Sequence, residues 1–443
     1  MRFRHRDGTT VHLAYCTNVH PAESLDGVLA QLRDHCEPVR RRLGRDRLGI
    51  GLWLARDAAR TLDTDPAALR GLRRELDRRG LEVVTLNGFP YEGFGADEVK
   101  YRVYQPDWAD PERLEHTTAL ARILAALLPD DVTEGSVSTL PLGWRTTWGA
   151  ERARAGHRAL LTLAERLDAL AELTGRSIRV GLEPEPGCTV ETTTDALAPL
   201  TALGHPRIGV CVDTCHLATS FEKPEAALDA LADARIPVVK SQLSAALHAE
   251  HPGRPEVRAA LAAFAEPRFL HQTRTLTPTG LRGTDDLPEA LGGDAMREAF
   301  GGDDMREAFG RDAVAVDLGG NTVREVLDGD VVRKTPGRHA VPDAPDRTAL
   351  PTSAPWRAHF HVPLHATPAA PLTSTLPVLR TALARLVGGP SPLTRHLEVE
   401  TYTWQALPPA LRPRGRDRLT EGIAAELALA RDLLTDLGLK ELP

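Results

Sequence analysis

Short runs of β-branched and apolar residues recur along the chain, separated by longer Ala-, Leu- and Arg-rich stretches with helical periodicity. Strands that alternate with helices pair in parallel, and eight such units predict a closed (β/α)8 TIM barrel. A doubly wound open sheet is disfavoured, because no Gly-rich phosphate-binding turn follows the first predicted strand. The predicted strands are His12–Thr17, Leu48–Leu54, Glu82–Leu86, Ser136–Leu140, Arg179–Glu183, Ile208–Asp213, Val238–Gln242 and Leu397–Glu400.

The clearest helical patterns cover Ala155–Thr174 and Leu376–Val387. The second has a proline in its first turn and ends at a pair of glycines, which is typical of a complete helix with both of its end signals. It directly precedes the last predicted strand, so the eighth unit of the barrel lies near the end of the chain.

The eighth unit is not contiguous with the seventh. We predict barrel units one to seven in residues 1–274, an insertion over residues 275–355, and the last barrel unit with a C-terminal helix over residues 356–443. Gly292–Phe300 and Gly301–Phe309 are a tandem duplication, and two copies are too few for a solenoid. We expect a surface excursion whose Pro-rich end, Gly337–Ser353, is disordered.

Two short runs flank the insertion, and either is a possible barrel strand. They are Arg268–Arg274 (RFLHQTR) and Trp356–Leu364 (WRAHFHVPL). The second carries two histidines in an H-x-H spacing, which places both on one face of a strand.

Composition narrows the function classes. The net charge of -7 and the pI near 6.2 argue against nucleic acid or an acidic membrane surface as the main partner. No apolar stretch approaches the roughly 20 residues that span a bilayer, and the N-terminus lacks the apolar segment of a signal peptide. Five thinly spread cysteines favour reduced thiols, so we expect a cytoplasmic protein.

Polar side chains gather at the predicted carboxyl ends of the late strands, where barrel enzymes place their chemistry. Alternation turns Glu183 and Glu185 toward the barrel axis, followed on the next strand by Asp213, with His216 three residues later. Glu400 lies nearest the mouth on the last strand. The alternatives are that the two glutamates of the first segment are solvated loop residues, and that Asp213 is a helix N-cap with His216 an ordinary first-turn residue.

The sequence does not decide whether the seventh strand supplies a metal ligand. It presents Lys240, Gln242 and Ser244 on one face, with Gln242 an acceptable oxygen ligand and Lys240 the cation available to polarise a substrate oxygen. The competitors for Gln242 are His359 and His361, whose chemistry suits a metal better. Chain order favours Gln242, and ligand chemistry favours the histidines.

The loops after the early strands add candidate substrate contacts. Asn18, His20, Asn87 and Trp144 lie just past predicted strand ends, and Trp404 follows the last strand. In a chain with 5% aromatic residues, this placement indicates walls for a small metabolite, although any one tryptophan is equally a structural plug.

Three motifs together resemble the xylose isomerase-like TIM barrels, which include sugar phosphate isomerases and epimerases. They are V-G-L-E-P, V-D-T-x-H and L-E-x-E. The resemblance implies that Glu183, Asp213 and Glu400 hold a divalent metal and that His216 is a substrate or metal histidine. The usual third ligand there is a histidine on the seventh strand, where this chain has Gln242, and the long insertion is also foreign to those enzymes.

More narrowly, blocks along nearly the whole chain resemble the EboE-type metabolite traffic proteins, which belong to a bacterial gene cluster linked to secondary-metabolite precursors. These blocks are YCTNVHP, NGFPY, LEPEPG, CVDTCHL, KSQLS, LHQTR, HFHVP and LEVETYTW. This resemblance implies a small-molecule metabolite and partner proteins of the same pathway.

Three functions follow as hypotheses. The first is isomerisation or epimerisation of a sugar-like or polyol-like metabolite on Mn²⁺, Mg²⁺, Co²⁺ or Zn²⁺, with Glu183, Glu185 or Glu400 as the base and Lys240 and His216 orienting the substrate oxygens. The second is a non-catalytic carrier that uses the same barrel mouth. The third, DNA repair, requires a basic groove and a His-rich multi-zinc cluster, and we expect neither.

Overall fold

Eight parallel strands close into a barrel in the computed structural model, which describes residues 1–292 and 350–443. Residues 293–309 of the tandem duplication and residues 337–349 of the segment predicted to be disordered lie outside the described residues. The predicted (β/α)8 barrel is confirmed.

All eight predicted barrel strands are present, each within two residues of its predicted ends. In chain order they are β2 (Thr10–Cys16), β3 (Leu48–Trp53), β4 (Leu81–Asn87), β5 (Glu134–Thr139), β6 (Ser177–Leu182), β7 (Ile208–Asp213), β8 (Val238–Leu243) and β14 (His396–Val399). The barrel closes where β14 pairs in parallel with both β8 and β2. A short strand, β1 (Arg2–Arg4), pairs antiparallel with β2. Strand β15 (Lys440–Glu441) pairs antiparallel with β1.

The helices surround the barrel. They are α1 (Leu25–Gln31), α2 (Glu37–Arg42), α3 (Arg56–Thr64), α4 (Pro66–Arg79), α5 (Pro111–Leu127), α6 (Ala150–Thr174), α7 (Thr193–Leu203), α8 (Thr214–Thr219), α9 (Pro224–Asp233), α10 (Pro255–Ala262), α11 (Leu287–Leu291), α12 (Leu376–Val387) and α13 (Arg416–Asp436). Their ends follow the local signals: α7 begins with a capping box from Thr192 and ends at the left-handed Gly204.

A second sheet lies between β8 and β14 in the chain. Its five antiparallel strands run in the order β11-β10-β12-β9-β13, where β9 is Leu247–Ala249, β10 is Thr273–Thr277, β11 is Gly280–Thr284, β12 is Trp356–Ala358 and β13 is Thr373–Ser374. We call the described residues between β8 and α12, residues 244–292 and 350–375, the excursion, because the chain leaves the barrel after β8 and returns to it at α12.

Neither flanking run is a barrel strand, because the pairing of β8 with β14 already completes the barrel. Instead, residues from the two runs pair with each other, Thr273 with Ala358 and Arg274 with Arg357. His359 and His361 therefore follow a strand of the excursion sheet. A hydrogen bond from Val362 N to Ala245 O, 2.9 Å long, ties this segment to the carboxyl end of β8.

A buried ion pair occupies the barrel interior. The Lys240 ammonium contacts the Glu398 carboxylate, and both side chains are 0% exposed. Burial lowers the pKa of Lys240, but the charge of Glu398, its hydrogen bond to the ammonium and the nearby thiols of Cys211 and Cys16 together raise it above its ordinary value. Gly51 makes room for the pair, because a Cβ at this position would lie 1.4 Å from Glu398 Oε1.

We predict that Gly51→Ala destabilises the protein by about 3 kcal/mol or more, since the added methyl displaces one member of a buried ion pair. Gly71→Ala is the matched control, because it lies within α4 and its Cβ would meet only Arg74, at 3.9 Å. The control should stabilise slightly, by roughly 0.5–1 kcal/mol. Urea unfolding of both variants measures the difference, and equal midpoints would show that Gly51 has no steric role.

Candidate metal and active site at the barrel mouth

Three carboxylates converge at the carboxyl ends of the strands. Glu183 follows β6, Asp213 ends β7 and Glu400 follows β14, and all three are at least 96% buried. One oxygen from each lies within 4.8 Å of the others. The period-2 alternation of the strands brings them together, because each side chain points inward at the same level of the barrel.

Neighbouring groups hold two of these carboxylates in place. Asp213 Oδ1 accepts hydrogen bonds from the backbone N–H groups of Cys215 (2.7 Å) and His216 (3.0 Å) and from Ser244 Oγ (2.7 Å). Asp213 is thus the N-cap of α8 as well as a member of the site, so the two interpretations of this residue are compatible. Ser244, on the inward face predicted for the seventh strand, serves the site by positioning Asp213.

The third carboxylate, Glu400, is held by two amides. Its Oε1 accepts from Asn18 Nδ2 at 2.7 Å and from Asn87 Nδ2 at 2.8 Å. These two asparagines come from the loop after β2 and the end of β4, so the early strands contribute to the site through Glu400. Both also line the mouth cavity, where we expected substrate contacts.

Two oxygens of the carboxylate cluster have no hydrogen-bond partner among the described residues, Glu183 Oε2 and Asp213 Oδ2. Burial, followed by the charges of neighbouring carboxylates, raises the pKa of Glu183 and of Glu400 well above the ordinary value. For Asp213, burial also raises the pKa, but His216, His361 and its hydrogen bonds lower it overall. Such a cluster is stable only if it binds protons or a cation, and three carboxylate oxygens with free lone pairs fit a divalent metal ion.

The structure places His361 and Gln242 differently with respect to this cluster. His361 Nε2 lies 4.0 Å from Asp213 Oδ2, and its Nδ1 is held by the Glu400 carbonyl oxygen at 2.7 Å. Gln242 Oε1 accepts a hydrogen bond from Cys211 Sγ at 3.3 Å, and Gln242 does not line the mouth cavity. The geometry therefore favours His361 over Gln242 as the additional donor.

Lys240 lies outside the mouth cavity, contrary to the role we expected for it. Its ammonium is committed to Glu398 inside the barrel, so it cannot reach a substrate oxygen at the mouth. The lysine that borders the cavity is Lys100, and it pairs with Asp286.

Three of the expected substrate contacts also lie outside the cavity. His20 stacks on His35 with ring centroids 3.9 Å apart, beside a separate pocket. Trp144 packs on Tyr104, and Trp404 donates Nε1 to Glu426 Oε2 at 3.2 Å. In each case the side chain contacts another part of the chain instead, which the position of a residue after a strand does not reveal.

The cavity at the mouth has a volume of about 60 Å³ and is covered by aromatic rings. We call this set the aromatic cover: Phe89, Phe94, Tyr104, Phe269 and Tyr402. Each ring of Phe94, Phe269 and Tyr402 packs against the other two, with ring centroids 4.9–5.6 Å apart. The sequence indicated tryptophan walls, whereas phenylalanine and tyrosine form them.

A hydrogen-bonded series at the cavity wall was not foreseen from the sequence. Gln272 Nε2 donates to Tyr104 Oη at 2.7 Å, and Tyr104 Oη donates to Glu185 Oε1 at 2.7 Å. Glu185 is thereby turned into the cavity, as strand alternation predicted. The LHQTR block, which contains Gln272, was the only sequence signal for this series.

Three histidines that the sequence did not place together also meet at the mouth. His216, His359 and His361 lie together at the mouth, with His216 Nε2 3.0 Å from His359 Nε2. Sequence reasoning missed the cluster because two of its members follow β12 of the excursion, far along the chain from α8.

A buried carboxyl from the last helix supports both sides of the mouth. Glu426 accepts hydrogen bonds from Leu364 N (2.9 Å), Thr401 Oγ1 (2.6 Å) and Trp404 Nε1 (3.2 Å). It therefore joins the segment after His361 to the loop after Glu400. Burial raises the pKa of Glu426 to about 7.

The model of the family described as "Xylose isomerase-like TIM barrel" matches residues 46–246, which include Glu183, Asp213 and His216. Together with the closed barrel, this match identifies the fold as a xylose isomerase-like TIM barrel. The matched range ends before the excursion sheet is complete and before Glu400. No curated protein matches the chain.

Several solved structures match about half of the chain at low sequence identity. A probable 3-DHS dehydratase involved in petrobactin synthesis from Bacillus anthracis is 15% identical over 56% of this chain and 78% of its own, with a TM-score of 0.35. A D-allulose 3-epimerase from Methylomonas sp. is 17% identical over 55% and 74%, with a TM-score of 0.35. A xylose isomerase-like TIM barrel protein from Mycobacterium smegmatis in complex with magnesium is 12% identical over 55% and 78%, with a TM-score of 0.40.

Among the helices of the described residues, none combines the length and the apolar character that crossing a bilayer requires.

We predict that Glu426 makes the protein less stable as the pH rises from about 4.5 to 7, the interval between its ordinary pKa and its pKa in the folded chain. Below this interval the carboxyl is protonated in both the folded and unfolded states, so its stabilising effect is fully present. Within it, only the unfolded state ionises, so stability falls as the pH rises, and above it the carboxyl is ionised in both states and the stabilising effect is lost. Glu426→Gln should remove this dependence, which amounts to a few kcal/mol at most.

Urea unfolding at pH 5 and pH 8 measures the effect. The matched control is Glu421→Gln on the same helix, whose partly exposed carboxylate pairs with Arg42 and Arg418. The control should keep the slope of the unmodified protein. If Glu426→Gln also keeps that slope, the carboxyl does not titrate with a raised pKa.

Proposed function

We propose that the barrel mouth binds a divalent metal ion through Glu183, Asp213 and Glu400 and acts on a small sugar-like or polyol-like metabolite by isomerase- or epimerase-like chemistry. The observation that carries this proposal is the convergence of three buried carboxylates with unpartnered oxygens on Glu183 and Asp213. His361, whose Nε2 lies 4.0 Å from Asp213 Oδ2, takes the place that we first considered for Gln242.

The metal would polarise adjacent hydroxyl and carbonyl oxygens of the substrate and so acidify the C–H bond between them. Glu183 is the base that best fits proton removal, since its Oε2 has no partner among the described residues and burial raises its pKa well above the ordinary value. Glu400 is held by two amides and is positioned as a ligand. Lys240 is withdrawn from this mechanism, because it is buried against Glu398.

Glu185 and His216 are positioned to contact the substrate rather than to remove the proton. Glu185 faces the cavity with its Oε1 held by the Tyr104 hydroxyl. His216 lines the same cavity, with its Nδ1 2.9 Å from the Pro184 carbonyl oxygen. Both side chains are thus oriented before the substrate arrives, which lowers the cost of binding it.

The cavity volume limits how substrate enters. A space of about 60 Å³ holds only a few water molecules, so we infer that the aromatic cover moves when a sugar-sized ligand binds. Phe89 and Phe94 lie in the loop after β4, and Phe269 lies in the excursion, so two separate segments contribute to this opening.

The narrower part of the proposal concerns the pathway. The sequence blocks that resemble EboE-type metabolite traffic proteins favour a role in a secondary-metabolite precursor pathway, with a small-molecule metabolite and pathway proteins as partners. A cytoplasmic location is consistent with five cysteines that are free and buried. The second candidate function is a non-catalytic carrier, which the apolar aromatic cover favours.

We predict that Glu400→Gln weakens binding of the metal ion at the carboxylate site at least about tenfold and abolishes turnover, because it removes one of three charged ligands. Metal content after equilibration with Mn²⁺, Mg²⁺, Co²⁺ or Zn²⁺ is measured by mass spectrometry. Turnover is measured as exchange of substrate C–H hydrogen in D₂O over a panel of ketoses and polyols. Glu92→Gln is the control, since Glu92 is half exposed in the loop after β4 and pairs with Arg56.

The outcomes separate the two candidate functions. Loss of the ion together with C–H exchange supports the enzyme. Loss of the ion with unchanged ligand retention and no exchange in either protein supports the carrier. A Glu400→Gln protein that keeps both the ion and its activity contradicts the proposed site.

A further inference from the structure

A second pocket lies between the loop after β2, the helix α1 with the turn that follows it, and the start of α13. Its volume is about 400 Å³, which is in the range of sites for small molecules. Among the described residues, none that lines this pocket also lines the cavity at the mouth. His20 lies here, so the function proposed for the mouth leaves this side chain without a role.

One wall of the pocket comes from a single helical segment. Its lining residues recur at intervals of three and four along the chain: Gly27, Ala30, Gln31, Asp34 and His35. A helix face with this spacing is ordinarily apolar and packs on the core. Here small residues leave space at the beginning of the face, and polar residues border that space at its end.

The polar part of this wall coincides with an irregular turn. Helix α1 passes into α2 through a π-helical turn, Leu32–Cys36, in which Glu37 N donates to Leu32 O. Such turns are rare inside α-helices and occur mostly at functional sites. Asp34 and His35 lie within this turn, and Gln31 directly precedes it.

Four buried polar atoms of this pocket have no hydrogen-bond partner among the described residues. They are Nε2 and Oε1 of Gln31, Nε2 of His20 and Nδ1 of His35. Gln31 is only 5% exposed and His20 only 7% exposed. A buried polar atom without a partner keeps the full cost of losing its water, so a bound molecule that pairs with these atoms would be favoured.

The inner wall of the pocket is uncharged. His20 and His35 stack with ring centroids 3.9 Å apart. Burial, followed by the charge of His35, lowers the pKa of His20 well below its ordinary value, and burial, followed by the charge of Arg416, lowers the pKa of His35. The Asp34 carboxylate accepts two hydrogen bonds from Arg33, at 2.9 and 3.0 Å. An ionised ligand would therefore find no free opposite charge on this wall.

The unpaired groups share one property, because an amide and a neutral imidazole can each donate and accept a hydrogen bond. A hydroxyl group can do the same. Two adjacent hydroxyls can accept from Gln31 Nε2 and donate to Gln31 Oε1 at the same time. The apolar side chains of Val19, Ala22 and Leu419, which also line the pocket, suit the C–H groups of such a molecule.

We propose that this pocket is a second binding site, separate from the barrel mouth, for a neutral molecule with adjacent hydroxyl groups, such as a polyol or a sugar. The Gln31 amide and the rings of His20 and His35 are its polar contacts. The inference does not depend on the proposed function, since the pocket contains none of the mouth carboxylates.

Two short 3-10 helices connect the pocket with the mouth. The first, Thr17–Val19, contains Asn18, which binds Glu400, and it ends next to His20. The second, Tyr402–Gln405, begins with a ring of the aromatic cover and ends at a residue of the pocket. A ligand in the pocket therefore contacts both segments without reaching the carboxylates.

The test is calorimetric titration of the full chain with three neutral probes, D-sorbitol, myo-inositol and D-fructose. We expect at least one of them to bind with a dissociation constant of about 1 mM or tighter. D-gluconate and N-methyl-D-glucamine, the charged counterparts of D-sorbitol, should bind at least about tenfold more weakly, because burying their charges has no compensation. Glu400→Gln should keep the affinity for the neutral probe.

Two variants of the helical wall remove the site for different physical reasons. Gln31→Met keeps the length of the side chain and removes the amide, so it should weaken binding at least about tenfold. Without ligand it should keep or raise the urea midpoint, since two unpaired polar atoms are lost. Ala30→Leu should also prevent binding, because it fills the pocket. Asp26→Asn is the control, since Asp26 is exposed on α1 and does not line the pocket.

The outcomes separate this inference from the proposed function. Binding that is lost in Gln31→Met and Ala30→Leu but kept in Glu400→Gln supports the second site. Binding that is kept in both wall variants and lost in Glu400→Gln places the ligand at the mouth, which overturns the second site and agrees with the proposed function. No binding of any neutral probe, or equal affinity for the charged counterparts, also overturns it. A lower urea midpoint of Gln31→Met would show that the amide is already paired in the free protein, which contradicts the inference.

Discussion

The mouth of this barrel depends on one constraint, the burial of like charges at the carboxyl ends of β6, β7 and β14. Glu183, Asp213 and Glu400 lie within ligand distance of one another in a region that excludes water, where unpaired charges are costly. The surrounding donors only partly offset that cost, because they reach one oxygen of Asp213 and one of Glu400. In the proposed function, a bound cation would offset the remaining negative charge.

The barrel handles charge differently one layer below. There Lys240 and Glu398 neutralise each other without any external ion, and Gly51 leaves the space that their contact needs. Strand β14 thus carries Glu398, whose charge is neutralised inside the barrel, and leads to Glu400, which belongs to the uncompensated carboxylate cluster at the mouth. A residue that is inward-facing on a barrel strand is therefore structural or functional according to its layer.

The excursion is the second determinant of the site. It carries Phe269 of the aromatic cover and brings His359 and His361 beside His216. Glu426 holds this arrangement against the last barrel unit, since it binds the segment after His361 and the loop after Glu400 at once. The excursion, which separates the seventh from the eighth barrel strand in the chain, in this way contributes residues to the site.

The sequence by itself determined the barrel, its eight strands and the three carboxylates, because each depends on local periodicity: alternation decides which side chains face the axis, and strand order decides where strands end. The tertiary structure decided what depends on distant partners. It separated Lys240 from the mouth, replaced tryptophan walls by phenylalanine and tyrosine, and favoured His361 over Gln242. Contacts such as His216 with His359 join residues far apart in the chain, and no local pattern encodes their distance.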